Sequence, residues 1–420
     1  MNESKVIMAN PDSNKSNNIE ENTLAILNKS ISKKLFTKRE VNNKNKIKIR
    51  LPGIDLVRIL AMYGILIHHL IVFGNLKKKY KKYPEIYLIN ILTLWHVSSF
   101  ALISGIIGYK TNKYSNLLYL WLSVLFYSVG IYLIVKKYRP NWVPKNELLY
   151  QYFFPVIFHK YWYFTQYFGM YLFLPVINKG IEMLTKKELK ILVISIFNIY
   201  ITWHDILNPK FDSFKMGGGY SVLYLLIVYI AGTYIGKYTI KLISFKKFIF
   251  CLISIFVYIS SSLLCYYLSM YHLDKKIKNI NKYKMKIVIL LKQLFVDRIN
   301  SFPMIFQTFS ITLFFIQIKY NKYLTKVITF FGPLTFGIYL IHNHILIKHK
   351  IIGSLFKNES TNLSLNIIIK LMILRALIIF GICIIIEYIR HLIFKFNKKY
   401  MHIYRKKNIS NIQLKSFLIF

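Results

Sequence analysis

Stretches of about 17 to 25 mostly apolar residues recur along the chain, each long enough to cross a bilayer as a helix. Ten can be counted, at about 55–75, 86–108, 115–136, 161–178, 190–207, 219–237, 246–270, 300–318, 327–347 and 371–393. Hydrocarbon offers no water to satisfy backbone N–H and C=O groups, so a spanning segment must hydrogen-bond internally. The pattern therefore predicts an all-α fold, a polytopic membrane helix bundle with about ten transmembrane helices. Two apolar runs are too short to span. Residues 148–158 read as an interfacial or re-entrant piece, and residues 286–296 as an amphipathic lead into the eighth span. Composition agrees: 55% of residues are hydrophobic and the mean hydropathy is +0.39.

The formal net charge is +42, from 58 Lys and Arg against 16 Asp and Glu. A nucleic-acid partner would require a soluble basic module, and no such module is recognisable. Juxtamembrane lysines attract the anionic lipid bilayer, and joint over-use of Lys, Asn, Ile and Tyr also reflects a coding bias toward A and T. Residues 1–50, rich in Asn, Lys, Ser and Glu, are expected to form a disordered basic N-terminal tail without a signal-peptide pattern. Residues 51–395 make the membrane domain, and 396–420 a basic C-terminal tail. No soluble domain interrupts the spans, so a catalytic site must lie in the bundle and its short loops. The basic tails and an even span count predict both termini in the cytosol. "KKKYKK" at 77–82 then faces the other side, against the usual positive-inside bias. Cys251, Cys265 and Cys383 lie in apolar runs and have neither disulfide nor zinc spacing.

The first span, "LVRILAMYGILIHHLIVFG" at 56–74, carries Arg58, His68 and His69. An arginine at the bilayer centre costs about 2.5–3.5 kcal/mol on insertion scales, so an ionisable group there points to function. A helix turns about 100° per residue, and eleven residues return to within roughly 20° of the starting direction. Arg58 and His69 therefore share one face, about 16 Å apart along the axis, while His68 points roughly 80° away. Asp55, three residues before Arg58, can pair with it. The guanidinium can hold a phosphate bidentately, and the imidazole can accept a proton. A long ligand with phosphates at one end and a reactive group at the other fits this spacing. Acyl-coenzyme A is such a ligand. The same residues taken alone also fit an arginine snorkelling to the interface and a histidine hydrogen-bonded between helices.

Other stretches bear on that choice. "IDLVRILAMYGILIHH" contains Ile54, Asp55, Arg58 and His69, and "FALISGIIGYK" follows with Ser104 and Gly105. "YWYFTQYFGMYLFLPVIN" (161–178), "GGYSVLYLLIVYIAGTYIGKY" (218–238) and "FGPLTFGIYLIHNH" (331–344) come later in the chain. In this order, over roughly residues 50–395, the set resembles the acyltransferase-3 family of integral-membrane acyltransferases. The resemblance implies a membrane O-acyltransferase that moves a short acyl group, acetyl foremost, from acyl-CoA to a hydroxyl of a glycan or lipid-linked acceptor. It implies His69 as general base and Arg58 in the donor site. Many members carry an Arg-x-x-Arg pair after the Ser-Gly span. Here Lys110 and Lys113 stand in its place, keeping the charge for phosphate binding but losing the planar fork.

Further residues admit competing readings. Ser104-Gly105 lacks a nucleophile elbow and suits close helix approach better than catalysis. His342 and His344, two apart, cannot share one helix face. A substrate-lining or interhelical role for His342 is preferred to metal binding, with Tyr339 on the same face, and no metal is expected. His204-Asp205 fits a helix cap at the interface, or an acid assisting a base. His96 and Glu387 read as isolated intramembrane polar groups. The rival class is a multi-pass transporter using intramembrane Arg, His and Asp as a substrate or proton path. Inverted repeats or paired broken helices would favour it, and neither is visible. The acceptor's identity and the oligomeric state are not legible.

Overall fold

A computed structural model of the protein describes residues 50–79, 82–109, 114–203, 212–240, 247–273, 298–356 and 363–416. The expected tail before Arg50, the run at 286–296, Lys110, Lys113 and the His204-Asp205 pair lie outside the described residues. Among the described residues every regular element is helical. Seven helices are long and apolar enough to cross a membrane: Pro52–Val72, Pro84–Gly108, Asn116–Tyr138, Val222–Thr239, Phe248–Met270, Lys322–His342 and Leu365–Phe394. The expected count of about ten is consistent with these and three weaker segments. Those are Trp162–Met183, with Pro175 inside it, Lys186–Phe197 with its π-helical extension Asn198–Trp203, and the shorter Phe302–Gln317.

The α-helices, in chain order, begin with α1 (Pro52–Val72), α2 (Pro84–Thr93), α3 (His96–Gly108) and α4 (Tyr114–Tyr138). There follow α5 (Leu149–Phe153), α6 (Trp162–Met183), α7 (Lys186–Phe197), α8 (Val222–Tyr234), α9 (Lys247–Leu273) and α10 (Phe302–Gln317). The last four are α11 (Lys322–Phe331), α12 (Thr335–His342), α13 (Ile345–Lys350) and α14 (Leu365–Ser416). Residues 396–416, read from the sequence as a tail, continue α14.

Helix α1 is the centre of the bundle, packed by α2, α3, α10, α11, α12 and α14. Proline opens it, where a missing N–H costs nothing, and Asp55 sits in the first turn, favoured by the macrodipole. Helices α9 and α14 lie at the rim, with Phe256, Ile385 and Ile389 exposed as suits a lipid-facing surface. Lipid is as apolar as leucine, so association here depends on close packing and polar pairs rather than on exclusion of water. The α3–α8 contact is the clearest case. A Cβ on Gly105 would meet the Tyr229 carbonyl oxygen, and one on Gly232 would meet that of Leu102. The Thr233 hydroxyl reaches the Gly105 carbonyl across this contact at 3.4 Å, and bonds the Tyr229 carbonyl of its own helix at 3.1 Å.

Two expected spans are interrupted. The run 86–108 is split at Leu94-Trp95 between α2 and α3. There the Thr93 carbonyl is taken by the His96 imidazole, and the Thr93 hydroxyl bonds the Asn90 carbonyl at 2.9 Å. Side chains thus replace part of the backbone ladder. The run 327–347 tightens to a 3₁₀ turn at Gly332–Leu334, where Pro333 has no N–H to donate, and the helix ends at His342. His344 caps α13 by accepting from the Leu346 N–H, and its Nε2 donates to the Ser128 carbonyl at 3.2 Å. Both of its nitrogens are engaged structurally.

Candidate active site

Arg58, Met62, Ile65, His69 and Val72 recur every three or four residues along α1 and line a cavity of about 420 Å³. A volume of this size suits a small-molecule site. The helical rise separates Arg58 from His69 by about 16 Å along the axis, so the two mark different ends. Ser104, Tyr167 and Pro333 join Arg58 in the wall. At the other end His68, His69, His96, Phe73 and Lys348 come together.

The arginine end is built from a local pair and a distant turn. Arg58 donates from Nη1 to Asp55 Oδ1 at 2.7 Å, with Asp55 almost fully buried and Arg58 27% exposed. The carboxylate fits because Gly332 backs onto it: a Cβ there would lie 2.7 Å from that of Asp55. Ser104 Oγ donates to the Phe100 carbonyl at 2.8 Å and shares a 3.0 Å bond with the Tyr167 hydroxyl. Those partners include no imidazole, and Gly105 beside it is a packing position.

The opposite end is a chain of imidazoles. Ring centroids are 5.4 Å apart for His96 and His68, 6.0 Å for His68 and His69, and 5.2 Å for His69 and His342. His68 lies off the Arg58–His69 line, where its Nδ1 meets Asn90 Oδ1 at 2.7 Å, yet its ring still borders the cavity. His342 Nδ1–H donates to the Ile338 carbonyl at 2.6 Å, which leaves Nε2 as the lone-pair nitrogen of the neutral ring. That Nε2 is buried without a partner, and so is Nδ1 of His69.

Buried polar atoms are almost always satisfied, and the exceptions need a reason. Twelve buried side-chain atoms lack a hydrogen-bond partner among the described residues. Five of them belong to His69, Tyr163, Tyr339, His342 and Asn343, in or beside this cavity. Tyr339 lines the wall 6.4 Å, ring to ring, from His342. This end of the cavity therefore gathers polar atoms that make no well-formed hydrogen bond within the protein.

Neither polar group read as isolated is so. His96 belongs to the imidazole chain. Glu387 accepts from Arg390 through both oxygens, at 2.6 and 2.7 Å, and from the Tyr127 hydroxyl at 2.6 Å. This pair is buried between α14, α4 and α12, where a Cβ on Gly337 would collide with the Glu387 carboxylate. Among the described residues no group of three or more His, Cys, Asp and Glu could hold a metal. Sequence reasoning passed over Tyr163, Asn343 and Lys348. The available signal was Lys348 six residues after His342, hidden by the abundance of lysine.

Fold and site together define a polytopic helical membrane protein with a polar cavity sunk into its bundle. The acyltransferase domain family, acyltransferase-3, matches residues 51–390, and the chain belongs to that family. It is an integral-membrane acyltransferase, acting between an acyl donor and an acceptor. No curated protein and no solved structure gives a significant match.

Proposed function

We propose that the protein transfers a short acyl group, acetyl foremost, from acyl-CoA to a hydroxyl of a glycan or lipid-linked sugar. The observation that carries this reading is the convergence of partnerless polar atoms at the His69–His342 end of a cavity whose other end is Arg58. The cavity suits the narrow thioester arm of the donor, with its phosphates held at Arg58. Lys110 and Lys113 would add charge to the phosphate site. Asp55 would hold the guanidinium in place.

In this reading His69 is the general base. His342, its tautomer set by the Ile338 carbonyl, presents a lone pair that can accept from His69 Nδ1–H. Such a bond would leave the lone pair of His69 on Nε2. That nitrogen removes the proton of the acceptor hydroxyl as its oxygen attacks the thioester carbonyl carbon. The C–S bond then breaks, and the coenzyme A thiolate takes up the proton from the imidazolium. General-base assistance of this kind contributes about 10²–10⁴ in rate. The hydroxyls of Tyr163 and Tyr339 are donors for the oxyanion, each on the scale of about 10²–10³. A transient acyl-histidine would use the same nitrogen.

The donor is cytosolic, so Arg58 belongs on the cytosolic side, with both termini there and the imidazole end directed toward the acceptor's side. Purified protein in nanodiscs, given radiolabelled acetyl-CoA and glycan acceptors, should form base-labile acetyl esters. Absence of transfer and of slow donor hydrolysis would overturn the reading.

A further inference from the structure

Lys348 has no role in the chemistry above, yet it faces the cavity beside the reacting end. Its ammonium lies 4.8 Å from the centroid of the Phe73 ring, and that ring is 5.2 Å from His69. Arg58, the other lysine or arginine among the described wall residues, is paired with Asp55. Among the described residues Lys348 makes no hydrogen bond or ion pair through Nζ, and none of the described wall residues is an Asp or Glu. A half-buried ammonium without an acid is a standing electrostatic cost, and burial lowers its pKa from the usual lysine range. An incoming anion would remove that cost.

We infer that Lys348 is an anion-recognition residue for the acceptor, and that the protein prefers acceptor sugars carrying a phosphate or carboxylate near the hydroxyl to be acylated. The inference rests on the acyl-transfer reading and deepens it. The donor's phosphates are the competing source of negative charge, but they are assigned to Arg58, about 16 Å away along α1 from His69. The Phe73 ring under the ammonium adds a cation–π contact that holds the side chain in the cavity rather than letting it snorkel away.

The test uses the full chain in nanodiscs with paired probes of matched size. Glucose 1-phosphate is compared with methyl glucoside, and glucuronate with glucose. Binding is read from intrinsic fluorescence, since Trp162 lines the cavity, and acetyl transfer is read in parallel. The wild type should bind at least one anionic probe about tenfold more tightly than its neutral partner, the scale of one charge-assisted bond. The phosphate and carboxylate arms then say which group is preferred. Lys348→Gln should erase the preference, and Lys348→Arg should restore it. Equal binding of charged and neutral probes by the wild type overturns the proposal without any variant. So does a Lys348→Gln protein that keeps the preference, or one that loses affinity for acetyl-CoA instead. Probe selectivity without any acyl transfer would support the anion subsite while refuting the transfer reading, so the two fail separately.

Discussion

His342 and His69 stand with ring centroids 5.2 Å apart, and each buries a nitrogen that has no hydrogen-bond partner. One of the two is fixed as a lone pair by the Ile338 carbonyl, so the other can serve as its donor. His69→Ala should lower kcat by about 10²–10⁴ without altering expression or insertion. His68→Ala should have a much smaller effect, because His68 is engaged by Asn90. For His342→Gln, whose amide can still accept a bond, the loss should be smaller than for His342→Ala. If both His342 variants match the wild type in kcat and in the pH profile, His342 has no positioning role.

Arg58→Lys keeps the charge but not the paired donors, and Asp55 occupies one of the guanidinium nitrogens already. Binding of acetyl-CoA, followed by titration calorimetry, should weaken about 10- to 100-fold, with KM rising more than kcat falls. Wild-type affinity in this variant would remove Arg58 from the donor site.

The Glu387–Arg390 pair is a matter of stability rather than chemistry. Removing one partner leaves a buried charge, a change that costs about 3–5 kcal/mol. Arg390→Leu should therefore lower the thermal midpoint in detergent well below that of the Glu387→Met/Arg390→Leu double variant. A single variant as stable as the double would show that water or lipid already solvates Glu387.

Acidity gives an independent handle on Lys348. Burial lowers its pKa, so the ammonium is present below the depressed value and is lost as pH rises through it. Preference for an anionic probe should be full at neutral pH and fall at a pH below that at which an ordinary lysine titrates, about 10.4. In Lys348→Arg the preference should persist across the same range, since guanidinium stays charged.

Orientation can be read from single cysteines in a background lacking Cys251, Cys265 and Cys383. An impermeant reagent applied outside sealed membranes should label position 79 and leave position 45 untouched. The reverse pattern would set Arg58 on the side away from a cytosolic donor.

What was legible in the sequence is what a single helix encodes. Arg58, His69 and Asp55 lie on one helix, and their mutual placement follows from 100° per residue. The Asp55–Arg58 pair is therefore found at 2.7 Å, as its spacing implies. The imidazole chain was not legible, because His96 and His342 reach His69 from other helices, and contacts between distant segments leave no periodic trace. The break between α2 and α3 was hidden for a related reason. An apolar run shows length but not that the Thr93 carbonyl will be claimed by His96. Lys348 was obscured by composition. One lysine among so many carries no weight until its surroundings are seen to lack an acid.

Asp55 has a consequence for the rhythm of turnover. A bare guanidinium at the mouth of a low-dielectric cavity would hold its anionic guest tightly and make departure of the spent carrier slow. The buried carboxylate, wedged against Gly332, offers the cation a resting partner at every moment of the cycle. If Arg58 grips the donor's phosphates as proposed, letting go of one means relaxing toward a companion already in place. On the proposed reading, the residue that steadies capture would also hasten release.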